Sequence, residues 1–477
     1  MRYSENQLEN QSQKAFAMQS ATVSRSPAEL RQAALDHIFI GMNNHAMLGE
    51  EGGPLIVERG DGIYIWDVDG NRYIDGISGM YFRNTGHGRE EIAKAIYEQI
   101  SDLSANVYAS VTPAAVELAS EIANLTPGDL ARTFFCQGGS EANESALKLA
   151  QAYQMRMGEK GRYKVISRRG SYHGATYGTM WLGEHPGFPR TDYQPKPSSA
   201  VHVPAPHFYR CEFNSDSPEQ CGELAALAIE KAIISEGPHS VSAVIGEPVT
   251  QPMGGVVPPE NYWPMVREIC DRYGVVLIFD EVITGFGRLG EWFGAEVVNT
   301  QPDIISFAKG ITSGYFPLGG CIADRRISDA FAGGPEKTWS HMYTYSAHPG
   351  GVAAGLKNLE IMKRENLVQN ARERGVQLAD RLAEMMERHE IIGDARGMGL
   401  VQGLELVADR ESRQSFPPEV GIGARFTDAL KRRGVWIRVG AYILPLSPPL
   451  SITAHEIDEL CDAVEDAIVE VSAGLGV

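Results

Sequence analysis

Lys309 stands in SFAKGITSG, directly after an apolar run and directly before a glycine. A lysine at the end of a buried strand is partly desolvated. Its pKa falls, and the neutral amine can form an imine with a carbonyl. The same position would also suit an ordinary surface lysine ending a strand, so its neighbours decide. Asp280 and Glu281 close the apolar run VVLIFD. A carboxylate there either caps a turn or pairs with a protonated ring nitrogen, which keeps a pyridine cationic and makes it an electron sink. A third feature lies in FFCQGGSEANESALKLA (134–150). Gly138 and Gly139 let the backbone approach an anion, and Ser140 is placed to cap a helix whose free N–H groups and dipole attract phosphate. A Gly-Ser helix start is also a routine structural cap. What weighs against the three ordinary readings is that the features keep company on one rim, as the elements that carry them indicate.

From about residue 89 to residue 320, helical stretches alternate with short β-branched runs. Helices are expected over 89–102, 114–124, 140–157 and 260–273. Strands are expected over 133–136, 163–167, 241–247, 275–280 and 303–309. Such alternation implies an α/β fold with a mainly parallel sheet covered on both faces. Ligands of such sheets bind beyond the carboxyl ends of the strands, which is where Glu247, Asp280 and Lys309 fall. Upstream, Ser26-Pro27-Ala28-Glu29 is a capping box opening a helix towards Ile38, and GIYIWDVDGNRYIDG (62–76) reads as a hairpin turning at Asp69-Gly70. Downstream of residue 345 the pattern becomes helix (367–388), strand-like stretch (396–407), helix (421–433), strand (435–438) and helix (454–472), a smaller α+β unit. The segment from Glu184 to Asp216 reads as a long loop. The expected organisation is an N-terminal arm and joining segment over 1–82, a large domain over 83–345 and a small domain over 346–477, with residues up to about 25 forming a flexible arm.

Composition narrows the partners. The chain has 477 residues, 43% hydrophobic and 22% charged, within the ordinary globular range. Its formal net charge is −18, from 61 acidic against 43 basic residues. That surface repels phosphate backbones and anionic lipids, so nucleic-acid and membrane partners are not expected, although a local site can still hold a small anion. Six scattered cysteines form no C-x-x-C pair and no metal-binding spacing, which suits reduced thiols in the cytoplasm and no bound metal. The N-terminus has no apolar stretch of signal or membrane-spanning type.

At FDEVITGFGRLG (279–290) and PDIISFAKGI (302–311) the chain resembles the class III aminotransferases, the ω-amino acid or amine:pyruvate type. The interval between Asp280 and Lys309 is kept as well as the residue types, and the likeness runs from about Leu35 to the C-terminus. The resemblance implies an aspartate-aminotransferase-like fold of type I and the cofactor pyridoxal 5′-phosphate. Lys309 would be the Schiff-base lysine and proton shuttle, and Asp280 the partner of the pyridine nitrogen. Val282 would pack on one ring face and Tyr172, in SYHGATYG, on the other. Gly139 and Ser140 match the phosphate turn, and Glu247 matches an acid near the cofactor. Thr344, in HMYTYSAHPGG, matches a threonine that reaches the phosphate held by a neighbouring subunit, so a homodimer (or a tetramer built from it) is implied. Tyr81 matches an aromatic of the amine:pyruvate members. Arg438, ten residues before Pro448, matches their mobile arginine, whose fork would bind a keto acid carboxylate and then withdraw for an apolar amine. The implied reaction is a ping-pong transfer from an amine or ω-amino acid to a keto acid, pyruvate above all. The loop GAYILPLSPPL departs from the expected pattern in its prolines and apolar residues, and so does PVTQPMGG (248–255).

Other readings stay open at this point. Racemases, aminomutases and decarboxylases share parts of this fold, and dependence on a keto acid acceptor separates them. Gly285-Phe286-Gly287-Arg288-Leu289-Gly290 fits a dinucleotide fingerprint, but no convincing long helix follows and no acid ends a strand about 20 residues on. A non-catalytic scaffold is disfavoured by the intact lysine, acid and glycine turn.

Overall fold

The computed structural model describes residues 25–476, so nearly all of the expected N-terminal arm lies outside the described residues. The described residues form two compact units, one of residues 25–60 and 65–72, the other of 61–64 and 73–476. In the first unit, helix Pro27–His37 opens on the expected capping box, with the Glu29 carboxylate accepting from the Ser26 N–H at 2.7 Å. Strand β1 (Val57–Asp61) precedes the expected hairpin of β2 (Tyr64–Asp67) and β3 (Arg72–Asp75). Asp67 accepts from the N–H groups of Asp69 and Asn71 across the turn, where Gly70 takes φ +85°.

The second unit is built on seven strands: β4 (Leu130–Cys136), β5 (Lys164–Arg168), β6 (Ala200–Val203), β7 (Val241–Gly246), β8 (Val276–Asp280), β9 (Ile304–Phe307) and β10 (Gly319–Asp324). They lie in the order β4-β10-β9-β8-β7-β5-β6. Only β10 runs antiparallel to its neighbours, so the sheet is mainly parallel, as expected. Successive side chains of a strand face opposite ways. Val276, Ile278 and Ile304 accordingly pack with Ala146, Leu149 and Tyr153 of helix Gly139–Arg156. Leu277, Phe279 and Ile305 pack with Trp263 and Val266 of helix Tyr262–Tyr273 and Ile229 of helix Pro218–Glu236. Both faces are covered, which is why the strands read as unbroken apolar runs. In register, Gly246 pairs with Phe279 and Asp280 with Ser306. Glu247, Asp280 and Lys309 therefore leave neighbouring strands at the same rim.

The remaining strands are β11 (Ile392–Met398), β12 (Val401–Leu406), β13 (Val435–Trp436) and β14 (Ile443–Leu446). β11, β12 and β14 form a three-stranded antiparallel sheet. Its flanking helices are Leu367–Arg388, Ile422–Arg432 and Ala454–Leu475. Among the described residues no helix is long and apolar enough to cross a membrane, and no metal-binding cluster occurs.

Several expectations need correction. The stretch 396–407 is the inner part of a hairpin, not one strand, because Gly399 at φ +53° reverses the chain. The expected strand at 435–438 stops at Trp436, leaving Arg438 beyond it. The long segment 184–216 is not all loop, since β6 pairs with β5 inside it. Helix Pro349–Arg364 was not expected. It begins Pro-Gly-Gly and is buried on nearly every side of its first two turns, so no polar stripe marks it. Strand β10 opens on two glycines that look like a turn. They are there because a methyl group on Gly320 would meet the Phe134 carbonyl at 2.4 Å. Gly320→Ala should therefore cost on the order of 1–3 kcal/mol and lower the melting temperature. Gly138→Ala, where the same atom meets nothing within 4 Å, should leave the cofactor-free protein unchanged. Thermal unfolding of the two variants checks this.

Candidate active site

A cavity opens at the carboxyl rim of β7, β8 and β9, lined by Gly139, Ser140, Tyr172, Glu247, Asp280, Val282 and Lys309 among others. Seven of the ten residues singled out in the sequence thus come together. Of the rest, Tyr81 stands at the edge, its ring centroid 5.9 Å from Lys309 Nζ. Thr344 and Arg438 are exposed and line no part of this cavity. Tyr81 does feel the charge of Arg438. Burial pushes its phenol up to about 12, with Gln251 and Arg438 acting the other way.

Asp280 ends β8 with only 4% of its surface exposed. Its Oδ2 accepts from Asn143 Nδ2 at 2.7 Å and lies 2.8 Å from His173 Nδ1, and its Oδ1 accepts from the Val282 N–H at 3.1 Å. A carboxylate has roughly four lone-pair directions, so one remains for the cavity. A carboxylate only accepts, so His173 Nδ1 must carry the proton. Burial acts to lower the His173 pKa, but Glu247 and Asp280 outweigh it and the net direction is upward. His173 Nε2 lies 3.9 Å from Glu247 and has no hydrogen-bond partner. Glu247 is held by Arg168 at 2.8 Å and accepts from the Tyr172 N–H at 3.2 Å. Arg168 in turn lies over the Trp263 ring, 4.9 Å from its centroid. Sequence reading missed Asn143, His173 and Arg168. His173 lies inside the quoted SYHGATYG, and Asn143 is one helical turn beyond Ser140, so both were within reach. Arg168, a charge on a sheet strand, gave no signal.

Lys309 opens the turn after β9 with φ +49°, in the left-handed region. Asn358 holds this turn by donating to the carbonyls of Gly310 and Ile311 at 2.9 and 3.0 Å. Among the described residues, Lys309 Nζ has no hydrogen-bond or ion-pair partner. Burial brings its pKa down to about 8, while Asp280 raises it and Arg288 lowers it further.

The glycine turn also differs from expectation. Ser140 does not cap the helix. The N-cap is Gly138, which has no side chain to offer, and Ser140 is in the first turn with its Oγ accepting from the Ala175 N–H at 3.0 Å. The backbone extends through Gly138, so the helix begins one residue earlier than Ser140 suggests. The result is an 18-residue helix whose first N–H groups have no side-chain cap, facing the same cavity as Lys309 and Asp280. That is an anion site. A methyl group on Gly139 would meet Val282 at 2.8 Å, which fixes the glycine there. A desolvated amine, a carboxylate with a lone pair to spare and an uncapped helix start fit an aldehyde, a ring nitrogen and a phosphate on one cofactor.

The dinucleotide reading fails on geometry. Phe286, Gly287 and Gly290 all have positive φ and wind a turn, and the helix that follows, Gly294–Val297, has four residues. Glu281 serves that turn, accepting from Thr284 Oγ1 and from the N–H groups of Gly294 and Ala295. Burial pushes its pKa up to about 7.

Residues 48–468 match the family model described as Aminotransferase class-III. The chain belongs to the class III aminotransferases. It is 34% identical over 460 residues to the putrescine–pyruvate aminotransferase of Pseudomonas aeruginosa, covering 96% of this chain and all of that one. Among solved structures, an (S)-enantioselective omega-transaminase from Thermomicrobium roseum superposes with a TM-score of 0.90 at 38% identity, covering 94% of this chain and 99% of that one. An amine transaminase from an uncultivated Pseudomonas species, solved in its PLP-bound form, gives 0.87 at 35%, covering 91% and 98%. This aminotransferase has the type I fold and uses pyridoxal 5′-phosphate to move an amino group from an amine or ω-amino acid to a keto acid. In protein freed of cofactor, acetylation of Lys309 should be half-maximal near pH 8, read by peptide mass mapping across a pH series. A midpoint near the ordinary lysine value of about 10.4 would contradict the desolvated setting of this amine.

Proposed function

We propose that Lys309 is the residue that bonds the cofactor aldehyde and that Asp280 pairs with the ring nitrogen, in an enzyme that takes its amino group from an amine and gives it to pyruvate. The observation that carries this is the convergence of Lys309, Asp280 and the uncapped helix at Gly138 on one cavity. Bound there, pyridoxal phosphate supplies an electron sink for the bond broken at the amine-bearing carbon. Asp280 would pair with the protonated ring nitrogen, and His173 and Asn143 hold its carboxylate in place. Lys309 Nζ, reaching into the cavity, would be the group that takes up and gives back the proton of the amine-bearing carbon. A base with a pKa near 8 is well matched to that task near neutral pH. The Gly139 and Ser140 amides would hold the phosphate, Tyr172 and Val282 would pack on the ring, and Glu247 fixes the backbone of Tyr172.

The cavity lining includes the apolar Met80, Val249, Pro252 and Ile283 beside Gln251 and Thr284, and among the described residues no arginine lines it. That suits an amine with no carboxylate beside the reacting carbon. Arg438 stands outside, within electrostatic reach of Tyr81, and serves the pyruvate carboxylate when that substrate is bound. Thr344, exposed and away from its own cavity, serves the phosphate site of a second copy, so the enzyme works as a homodimer. Its six cysteines are unbridged, which suits the cytoplasm.

The test is the visible absorbance of the loaded enzyme during additions of amines, then of pyruvate. The yellow band should fade with the donor and return with pyruvate. Asp280→Ala should fold normally and lose most of both responses, by about 10²-fold or more in rate. A band that ignores every amine, or an Asp280→Ala variant that responds normally, contradicts the reading.

A further inference from the structure

Arg288 does not line the cavity described above. It is wholly buried, and among the described residues it has no carboxylate within ion-pair distance. Only Asp75 acts on it as a counter-charge, from beyond ion-pair distance, and a desolvated cation so placed is costly, whereas a hydrophobic side chain of similar volume is often as good for stability. Its hydrogen bonds indicate what the guanidinium contributes. Nη1 donates to the Pro448 carbonyl at 2.5 Å, and Nη2 donates to Asn84 Oδ1 at 2.7 Å and to Ser78 Oγ at 3.1 Å. Ser78 Oγ donates onward to the Ser447 carbonyl at 2.8 Å. Asn84 Nδ2 donates to the Phe286 carbonyl at 2.7 Å, so that side chain is gripped by residues 286 and 288 together. One fork thus joins three stretches of chain.

The stretch from Ser78 to Asn84 is the one that matters for substrate. It carries Met80 into the cavity and sets the Tyr81 ring beside Lys309. Ser78, Gly79 and Tyr81 have φ of +46°, +71° and +64°. Non-glycine residues hold such backbone only where their surroundings impose it. Asp75 caps the Gly79 N–H at one end of the turn, at 2.7 Å. Arg288 grips the stretch at Ser78 and Asn84. Asn84 also abuts the lysine turn, since a methyl group on Gly310 would fall 2.5 Å from Asn84 Nδ2.

We propose that Arg288 is a positioning residue for the amine substrate: it holds the strained Ser78–Asn84 turn in register with the Lys309 turn, so that Met80 and Tyr81 shape the donor pocket. Its charge also opposes protonation of Lys309, alongside burial and against Asp280. The proposal rests on the reading of this cavity as the amine site.

The test uses the full-length loaded enzyme with Arg288→Met and Arg288→Lys. Hydrogen exchange is read by mass spectrometry on peptides covering 78–86 and on peptides of β8 and β9. KM and kcat for the amine are measured together. For Arg288→Met, exchange over 78–86 should quicken and KM should rise, each by about tenfold, while β8 and β9 stay protected and kcat changes by less than about threefold. Arg288→Lys, whose single ammonium cannot span Asn84 and Pro448, should show both effects more weakly. Unchanged exchange over 78–86 with unchanged KM overturns the proposal. So does faster exchange throughout, β8 and β9 included, which would make Arg288 a general stabilising residue. If the Met variant does not fold, the Lys variant decides by the same two readings. If the wild type turns over no amine, the proposed function fails, and the exchange data still decide whether Arg288 holds the turn.

Discussion

The site depends on holding one nearly buried carboxylate in place at the edge of the cavity. Asp280 ends a strand buried on both faces, and an unpartnered charge there would cost on the order of several kcal/mol. Asn143, His173 and the Val282 N–H meet that cost from three directions. Each partner belongs to a different piece of the site: the phosphate helix, the loop that carries Tyr172, and the turn that carries Val282. The interactions that hold Asp280 therefore also set the distances between the groups that would grip a ring, its nitrogen and its phosphate. Glu247 and Arg168 extend the arrangement by one shell, tying the neighbouring strand end to the same loop.

Lys309 presents the opposite problem. Its amine must be neutral to react, and burial, with Arg288 acting the same way and Asp280 against, lowers its pKa towards that state. The sheet supplies the burial, and the turn supplies the aim. The left-handed backbone at Lys309 is costly for a side chain and is held by Asn358 from a helix far along the chain. Acid and amine thus share a rim but lie on separate strands. Neither neutralises the other through a direct ion pair, and both remain available to a cofactor between them.

Much of this was legible in the sequence for a physical reason. Strands buried on both faces of a parallel sheet are short apolar runs, and chemistry at such a sheet lies where those runs end. Asp280, Glu247 and Lys309 could therefore be placed from VVLIFD, VSAVIGE and DIISFAK alone. What escaped depended on contacts far apart in sequence. Helix Pro349–Arg364 is buried on too many sides to show a stripe, and β10 needs its glycines because another backbone lies against it. His173 and Asn143 were passed over because their role is towards Asp280 and not towards the ligand. Ser140 was assigned the cap because serine is the usual cap, whereas an extended glycine one step earlier leaves the helix N–H groups open.

We propose that Lys309, alone among the lysines, carries the cofactor. Borohydride reduction of the loaded enzyme followed by peptide mass mapping tests it most directly. The account predicts one phosphopyridoxyl addition per chain, on the peptide that contains Lys309. An addition on another lysine, or none in protein that shows the yellow band, would contradict it.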